Sequence, residues 1–251
     1  MPSPEVQDLA QLFVQDNQLV LLETALTLGL AFVIGIVMSS VPDLQLACGP
    51  VVARRDPEAV RRKFNDRGSL LMVHAGGINP ERDLETLIRA AAIMSQSTPV
   101  RLVVAGSGDG RCIESLKRRC RDLGLAESVA FFGQVPLEDA RALMALATIG
   151  VVTLQANPLR EVALPNRVLS LATLGKPLIL SNLPLLRRMF EGGAYFYAAG
   201  DPGDFAARIR EAWSNNGESH GRAAVASGIA ESISAPRMAE RPREVYANLA
   251  A

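Results

Sequence analysis

Between Leu70 and Trp213, short apolar runs alternate with longer stretches whose apolar residues recur at helical spacing; this alternation constrains the fold more than any other feature. Repeated strand–helix units build a parallel sheet, because each helix carries the chain back across one face before the next strand runs in the same direction. Strands are predicted at Leu70–Ala75, Val100–Ala105, Val129–Phe132, Ile149–Thr153, Pro177–Ser181 and Ala194–Tyr197. Helices are predicted over Glu81–Gln96, Arg111–Leu123, Pro136–Ala147, Leu164–Leu174, Leu183–Phe190 and Asp201–Trp213. Leu84, Leu87, Ile88, Ala91 and Ala92 share one face of the first helix, Gly124 and Gly175 serve as C-caps, and Asp201 can cap the last. Gln155–Glu161 is read as a loop, and Asn215–Gly217 as an exposed turn before one or two peripheral helices. The predicted class is α/β, a parallel sheet with helices on both faces and a ligand crevice at the carboxyl ends of the strands.

The residues with chemical character fall at those strand ends. Gly76 and Gly77 follow the first strand, and glycines there either let a ligand approach the backbone or make a tight turn. Arg82 is predicted in the first turn of the next helix, where a cation opposes the helix dipole unless an anion is near. Gly106-Ser-Gly-Asp-Gly110 is too short for a dinucleotide fingerprint and reads as a tight turn. Gly133, Gln134 and Val135 form a loop that either meets the edge of a base or simply connects strand to helix. Pro165 stiffens the approach to a further helix, Asn166 can cap it, and Arg167 adds a guanidinium suited to bidentate phosphate contact. Two helix starts, each with an arginine, thus face one crevice, which suits a diphosphate. Lys176 complements the negative end of its helix, and His74 ends the first strand either at the crevice or in simple packing.

Ahead of this region, Leu19 to Val41 contains Glu23 as its single charge. A bilayer span needs about 20 mostly apolar residues, and the downstream Arg54, Arg55, Arg61, Arg62 and Lys63 would leave the C-terminal bulk in the cytoplasm. The competing reading is a helix ending near Thr27 followed by a buried strand from Leu30 to Val37. Lys and Arg total 26 against 26 Asp and Glu, so the overall charge gives no reason to expect a nucleic-acid partner. Cys48, Cys112 and Cys120 have no metal-ligand spacing and fit a reducing cytoplasm; Cys112 and Cys120 read as small packing residues on one helix face. No metal and no cofactor is expected.

Taken in order, Gly-Gly-x-x-Pro-Glu-Arg, Val-Ala-Gly-x-Gly, Phe-Gly-x-Val-Pro and Leu-Pro-Asn-Arg followed by Gly-Lys-Pro resemble the C-terminal domain of family 4 GT-B glycosyltransferases, the glycosyl transferases group 1. The resemblance covers Leu70 to about Trp213. It implies a Rossmann-like, donor-binding half of a GT-B fold, with residues 67–214 as the nucleotide-sugar-binding domain and residues 215–251 as peripheral helices. Residues 1–66 would then be the remnant of a truncated N-terminal domain plus its connection. It further implies transfer of a hexosyl group, with retention of configuration, to an acceptor that is a glycan, a lipid or a small molecule. The protein would be cytoplasmic or held at the cytoplasmic face of a membrane, with a separate acceptor-binding subunit or a non-catalytic interaction role as alternatives. Gly76, Gly77, Arg82, Pro165, Asn166 and Arg167 would bind the donor diphosphate, and Gly133, Gln134, Val135 and Ser170 the base and ribose. Ser170 and Val162 stand where the family usually has a pair of glutamates, and Gly77 stands where it commonly has an arginine. A serine can donate one hydrogen bond but cannot grip a ribose diol as an anionic acceptor.

Overall fold

The computed structural model describes residues 68–233, so the segment 19–41 and its two readings lie outside the described residues. Six strands form one sheet in the order β3-β2-β1-β4-β5-β6. They are β1 (Leu70–Ala75), β2 (Val100–Ala105), β3 (Val129–Gly133), β4 (Ile149–Val152), β5 (Leu178–Ser181) and β6 (Ala194–Tyr197). Every neighbouring pair is parallel. The order grows outward from β1 to β3, then restarts on the other side with β4. Loops that follow β1 and β4 therefore diverge at their carboxyl ends and leave a crevice there.

The helices are α1 (Leu84–Ser95), α2 (Gly110–Asp122), α3 (Leu137–Leu146), α4 (Pro158–Glu161), α5 (Asn166–Thr173), α6 (Pro184–Met189), α7 (Pro202–Ser214) and α8 (Asn216–Ser232). Alternation along β1 divides the core in two: Leu70 and Met72 pack with α1, α2 and α7, whereas Leu71, Val73 and Ala75 pack with α3, α5, α6 and α8. All six residues of β1 are buried. A strand buried along its whole length and apolar except for His74 belongs at the centre of a sheet covered on both faces.

Four local differences from the sequence reading affect the crevice or its supports. The first helix does not begin at Glu81: Pro80–Arg82 form a 3-10 turn capped by Asn79, and Asp83 takes a left-handed conformation (φ 48°, ψ 44°) before α1 starts. Arg82 is thus not in the first turn of α1, and its expected conflict with that helix's dipole does not arise. The stretch read as a loop after β4 contains α4, whose Asn157 cap accepts from the Arg160 N–H at 2.9 Å. Helix α5 begins at Asn166 with Pro165 in the N-cap place, so Asn166 makes no side-chain cap.

Finally, Asn216 and Gly217 are the opening residues of α8 rather than an exposed turn. This helix is not peripheral to the core: Ala223, Ala226 and Ala230 are buried, and the Ser219 hydroxyl donates to the Ala212 carbonyl at 2.7 Å while meeting the Tyr195 hydroxyl at 3.1 Å. Small side chains let α8 sit close to its neighbours, so it contributes to the core without a conspicuous apolar stripe.

Candidate functional site

Backbone packing builds the floor of the crevice. The Gly76 N–H donates to the Ala105 carbonyl at 2.9 Å, Ile78 N–H to Ser107 at 2.9 Å, and Gly106 N–H to Gly133 at 2.7 Å. The loops after β1, β2 and β3 are thereby stitched into one ledge. A Cβ on Gly106 would lie 1.8 Å from the Gly76 carbonyl oxygen, and one on Gly108 would lie 1.7 Å from that of Ile78. The Gly106–Gly110 turn exists so that two backbones can touch, which is a structural role rather than a phosphate loop. It also brings Gly133, and with it the half-buried Gln134 and Val135, to the same end of the sheet as the Gly76–Gly77 turn.

Arg167, in the first turn of α5, reaches across to the end of β1. Its Nη1 lies 2.9 Å from His74 Nδ1, 3.1 Å from His74 Nε2 and 3.3 Å from the Ala75 carbonyl oxygen. It also stands 3.4 Å from where a Cβ on Gly76 would be, an ordinary contact, so it is the φ of 144° rather than the guanidinium that calls for glycine there. His74 Nε2 is 3.3 Å from the Gly77 carbonyl, which can only accept, so a proton on Nε2 would serve that carbonyl and leave the Nδ1 lone pair for Arg167. The ring is 1% exposed. Burial, then the Arg167 charge, hold its pKa well below the usual histidine range, so it is a neutral acceptor. His74 therefore belongs to the crevice and is more than a packing residue.

Among the described residues Arg167 has no carboxylate partner. Its Nε and Nη2 are shielded from water and make no hydrogen bond with any of them. Burial, with the Arg82 charge next, pushes its pKa down to about 9. A desolvated cation with idle donors is costly for a folded chain and is the expected state of a group that waits for an anion.

Arg82 is carried by the 3-10 turn after β1. Its N–H is 3.2 Å from Asn79 Oδ1, its carbonyl accepts from the Thr153 hydroxyl at 2.5 Å, and the carbonyl of Glu81 accepts from the Gln155 N–H at 3.0 Å. The turn is thus tied to the end of β4. Arg82 Nε is shielded and has no partner among the described residues, and burial followed by the Arg160 charge lowers its pKa, with Glu81 opposing. Arg160 pairs with Glu81, and its own Nε is shielded without a partner. Sequence reasoning assigned Arg160 no role. The signal that could have found it is the repeat of Asn-Pro-x-Arg at Asn79–Arg82 and Asn157–Arg160, each after a strand that ends in the crevice.

Ser170 is turned inward on its own helix, its hydroxyl donating to the Asn166 carbonyl at 3.1 Å, and Asn166 is exposed. Val162 is 72% exposed. Lys176 follows the C-terminal end of α5, the end opposite Arg167, as expected of a residue that complements the helix terminus. Cys112 and Cys120 pack in the α1 and α2 layer, where burial raises both thiols, that of Cys120 to about 11. Among the described residues there is no group of three or more His, Cys, Asp or Glu placed to hold a metal ion, and no helix long and apolar enough to cross a membrane.

The family described as Glycosyl transferases group 1 matches residues 69–215, more than half of the chain. The chain belongs to that family. TuaH of Bacillus subtilis (strain 168), named as a teichuronic acid biosynthesis glycosyltransferase, is 26% identical over 161 residues, which is 63% of this chain and 38% of TuaH. Among solved structures, Anabaena HepE in complex with UDP and glucose is similar with a TM-score of 0.65 at 18% identity, covering 78% of this chain and 53% of HepE. The C-terminal domain of the group 1 glycosyl transferase LpcC from Francisella tularensis gives 0.57 at 13% identity, covering 69% of this chain and 91% of that domain. These structural likenesses show a GT-B, Rossmann-like fold. The chain spans about two fifths of TuaH and about half of HepE.

Proposed function

We infer that this chain binds a nucleoside diphosphate sugar and forms the donor-binding half of a glycosyltransferase that moves a hexosyl group to an acceptor hydroxyl. The observation that carries this reading is Arg167, half-buried above the Gly76 turn, whose shielded Nε and Nη2 donors have no partner among the described residues. Arg82 stands near enough for the two charges to repel. A diphosphate would relieve both. The bond from the anomeric carbon to the phosphate oxygen breaks, the acceptor oxygen bonds to that carbon and gives up its proton, and the diphosphate leaves with the electron pair. Preorganised guanidiniums stabilise the charge that develops on the leaving group, and in this reading they do so without a metal ion. Gly133, Gln134 and Val135, on the ledge continuous with Gly76, would take the base. HepE has been solved with UDP-glucose, which supports a UDP-linked donor as the first to try.

The test is calorimetric titration of the chain with UDP-, GDP- and ADP-sugars, alongside Arg82→Ala and Arg167→Ala. Saturable binding of one donor class, weakened by at least roughly tenfold in each variant, is the expected result. A folded chain that binds none of them would overturn the reading. Ser170 favours a second reading, a non-catalytic interaction module, because its hydroxyl is committed to its own helix rather than presented to a ribose. Turnover of donor with an acceptor glycan, lipid or small molecule separates the two. If turnover requires a separately supplied acceptor-binding chain, the protein is the donor subunit of a split enzyme.

A further inference from the structure

The Asn157-Pro158-Leu159-Arg160 turn repeats the Asn79-Pro80-Glu81-Arg82 turn in detail. Both asparagines are extended, with φ of −156° and −147°, both accept from the N–H of the arginine three residues on, and both prolines open the helical turn. The parent strands β4 and β1 are neighbours in the sheet. One device is thus used twice to set two guanidiniums beside each other, and Arg82 lies close enough to both Arg160 and Arg167 for their charges to interact.

On the donor-binding reading, upon which this inference rests, two phosphates account for Arg82 and Arg167. A third guanidinium is then left over, and the sheet says on which side. The Gly133–Val135 loop follows β3, the Gly76–Gly77 turn follows β1, and Arg160 follows β4, on the far side of β1 from β3. With the base over β3 and the diphosphate over β1, the sugar to be transferred extends toward β4. A neutral hexose gives a guanidinium little that water does not, whereas a carboxylate forms a charge-assisted pair with it. In the donor-free protein Arg160 already donates to a carboxylate, that of Glu81. The Arg160 side chain is 17% exposed and Glu81 is 47% exposed, so Glu81 can withdraw into solvent while Arg160 stays in place.

We propose that Arg160 selects a donor whose transferred sugar carries a carboxylate, a nucleoside diphosphate uronate, with Glu81 occupying the guanidinium until that donor arrives. The experiment titrates UDP, UDP-glucose and UDP-glucuronate, with the guanosine counterparts as a second series, into the full chain and into Arg160→Leu and Glu81→Gln. The expected result is a preference of roughly tenfold for the uronate over the neutral sugar, abolished in Arg160→Leu and kept or enlarged in Glu81→Gln, with affinity for the bare nucleotide unchanged in both. Retained nucleotide affinity also shows that each variant is folded. Equal affinity for the two sugars in the unaltered chain would overturn the proposal. So would a matched loss of nucleotide affinity in both variants, which would make the ion pair a strut between two loops. Absence of binding by any nucleotide is a different failure, that of the donor-binding reading, and the proposal would fall with it.

Discussion

The imidazole of His74 and the guanidinium of Arg167 meet at 2.9 Å, one from the end of β1 and the other from the start of α5, and through His74 Nε2 the contact continues to the Gly77 carbonyl. One neutral ring therefore couples the glycine turn to the cation expected to share its ligand. Protonating that ring would remove the acceptor and place a second charge against Arg167.

The pH dependence follows from that. The pKa of His74 is lowered in the folded protein, so the unfolded chain binds the extra proton more readily. Its contribution to stability is present above the unfolded value of about 6.5 and is lost as pH falls toward the folded value. Urea midpoints measured from pH 8 down to pH 5 should decline, and the decline should be shallower in His74→Gln, which keeps polar atoms but cannot charge. Superposable profiles would show that His74 is not the group responsible.

Arg167→Met should make the donor-free chain more stable, not less. The substitution replaces a half-buried cation, two of whose nitrogens are shielded without a partner, by an apolar side chain of similar length, an exchange worth about 1 kcal/mol in favour of folding. Thermal unfolding should shift upward by a few degrees, roughly what that energy gives in a domain of this size, while donor binding is lost. A lower midpoint would mean that the His74 and Ala75 contacts already satisfy the guanidinium.

Much of the fold could be read from the chain because burial on both faces makes the strands predominantly apolar and leaves the helices amphipathic. Leu70–Ala75 and Val100–Ala105 are found over the predicted residues for this reason. The places that escaped are those where backbone geometry outweighs periodicity. Asn79 and Asn157 create short capped turns that no hydrophobic pattern marks, and the left-handed Asp83 separates Arg82 from the helix its apolar residues predict. The buried alanines of α8 were missed because alanine is compatible with surface and core alike. At the crevice, Arg167 was legible as a cation at a helix start, whereas Arg82, expected at another, closes a 3-10 turn ahead of α1. The link from Arg167 to His74 was not legible, since it joins residues 93 positions apart through a crossing visible only in three dimensions.

Gly106→Ala tests the ledge beneath the crevice. The new methyl would sit 1.8 Å from the Gly76 carbonyl oxygen, at a φ of 150° that side chains avoid. Both strain and collision fall on backbone, which cannot swing aside, so a loss of about 3 kcal/mol or more is expected in urea unfolding. Gly110→Ala supplies the control, because nothing lies within 4 Å of its Cβ position and it opens α2. That variant should be neutral or slightly stabilising.

Ser170→Glu bears on whether this chain retains donor chemistry. Ser170 and Arg167 lie one turn apart on α5, and the serine hydroxyl is spent on the Asn166 carbonyl. An ionised glutamate has no hydrogen to donate to that carbonyl, so its carboxylate would extend beside the crevice, where it could accept from both hydroxyls of a ribose. Charge-assisted hydrogen bonds of this kind should tighten binding of a ribonucleoside diphosphate roughly tenfold. The matching 2′,3′-dideoxy nucleotide should bind both proteins alike, because it has no diol to hold. Equal gains for the two nucleotides would instead mean that the carboxylate acts on the arginines rather than on the ribose.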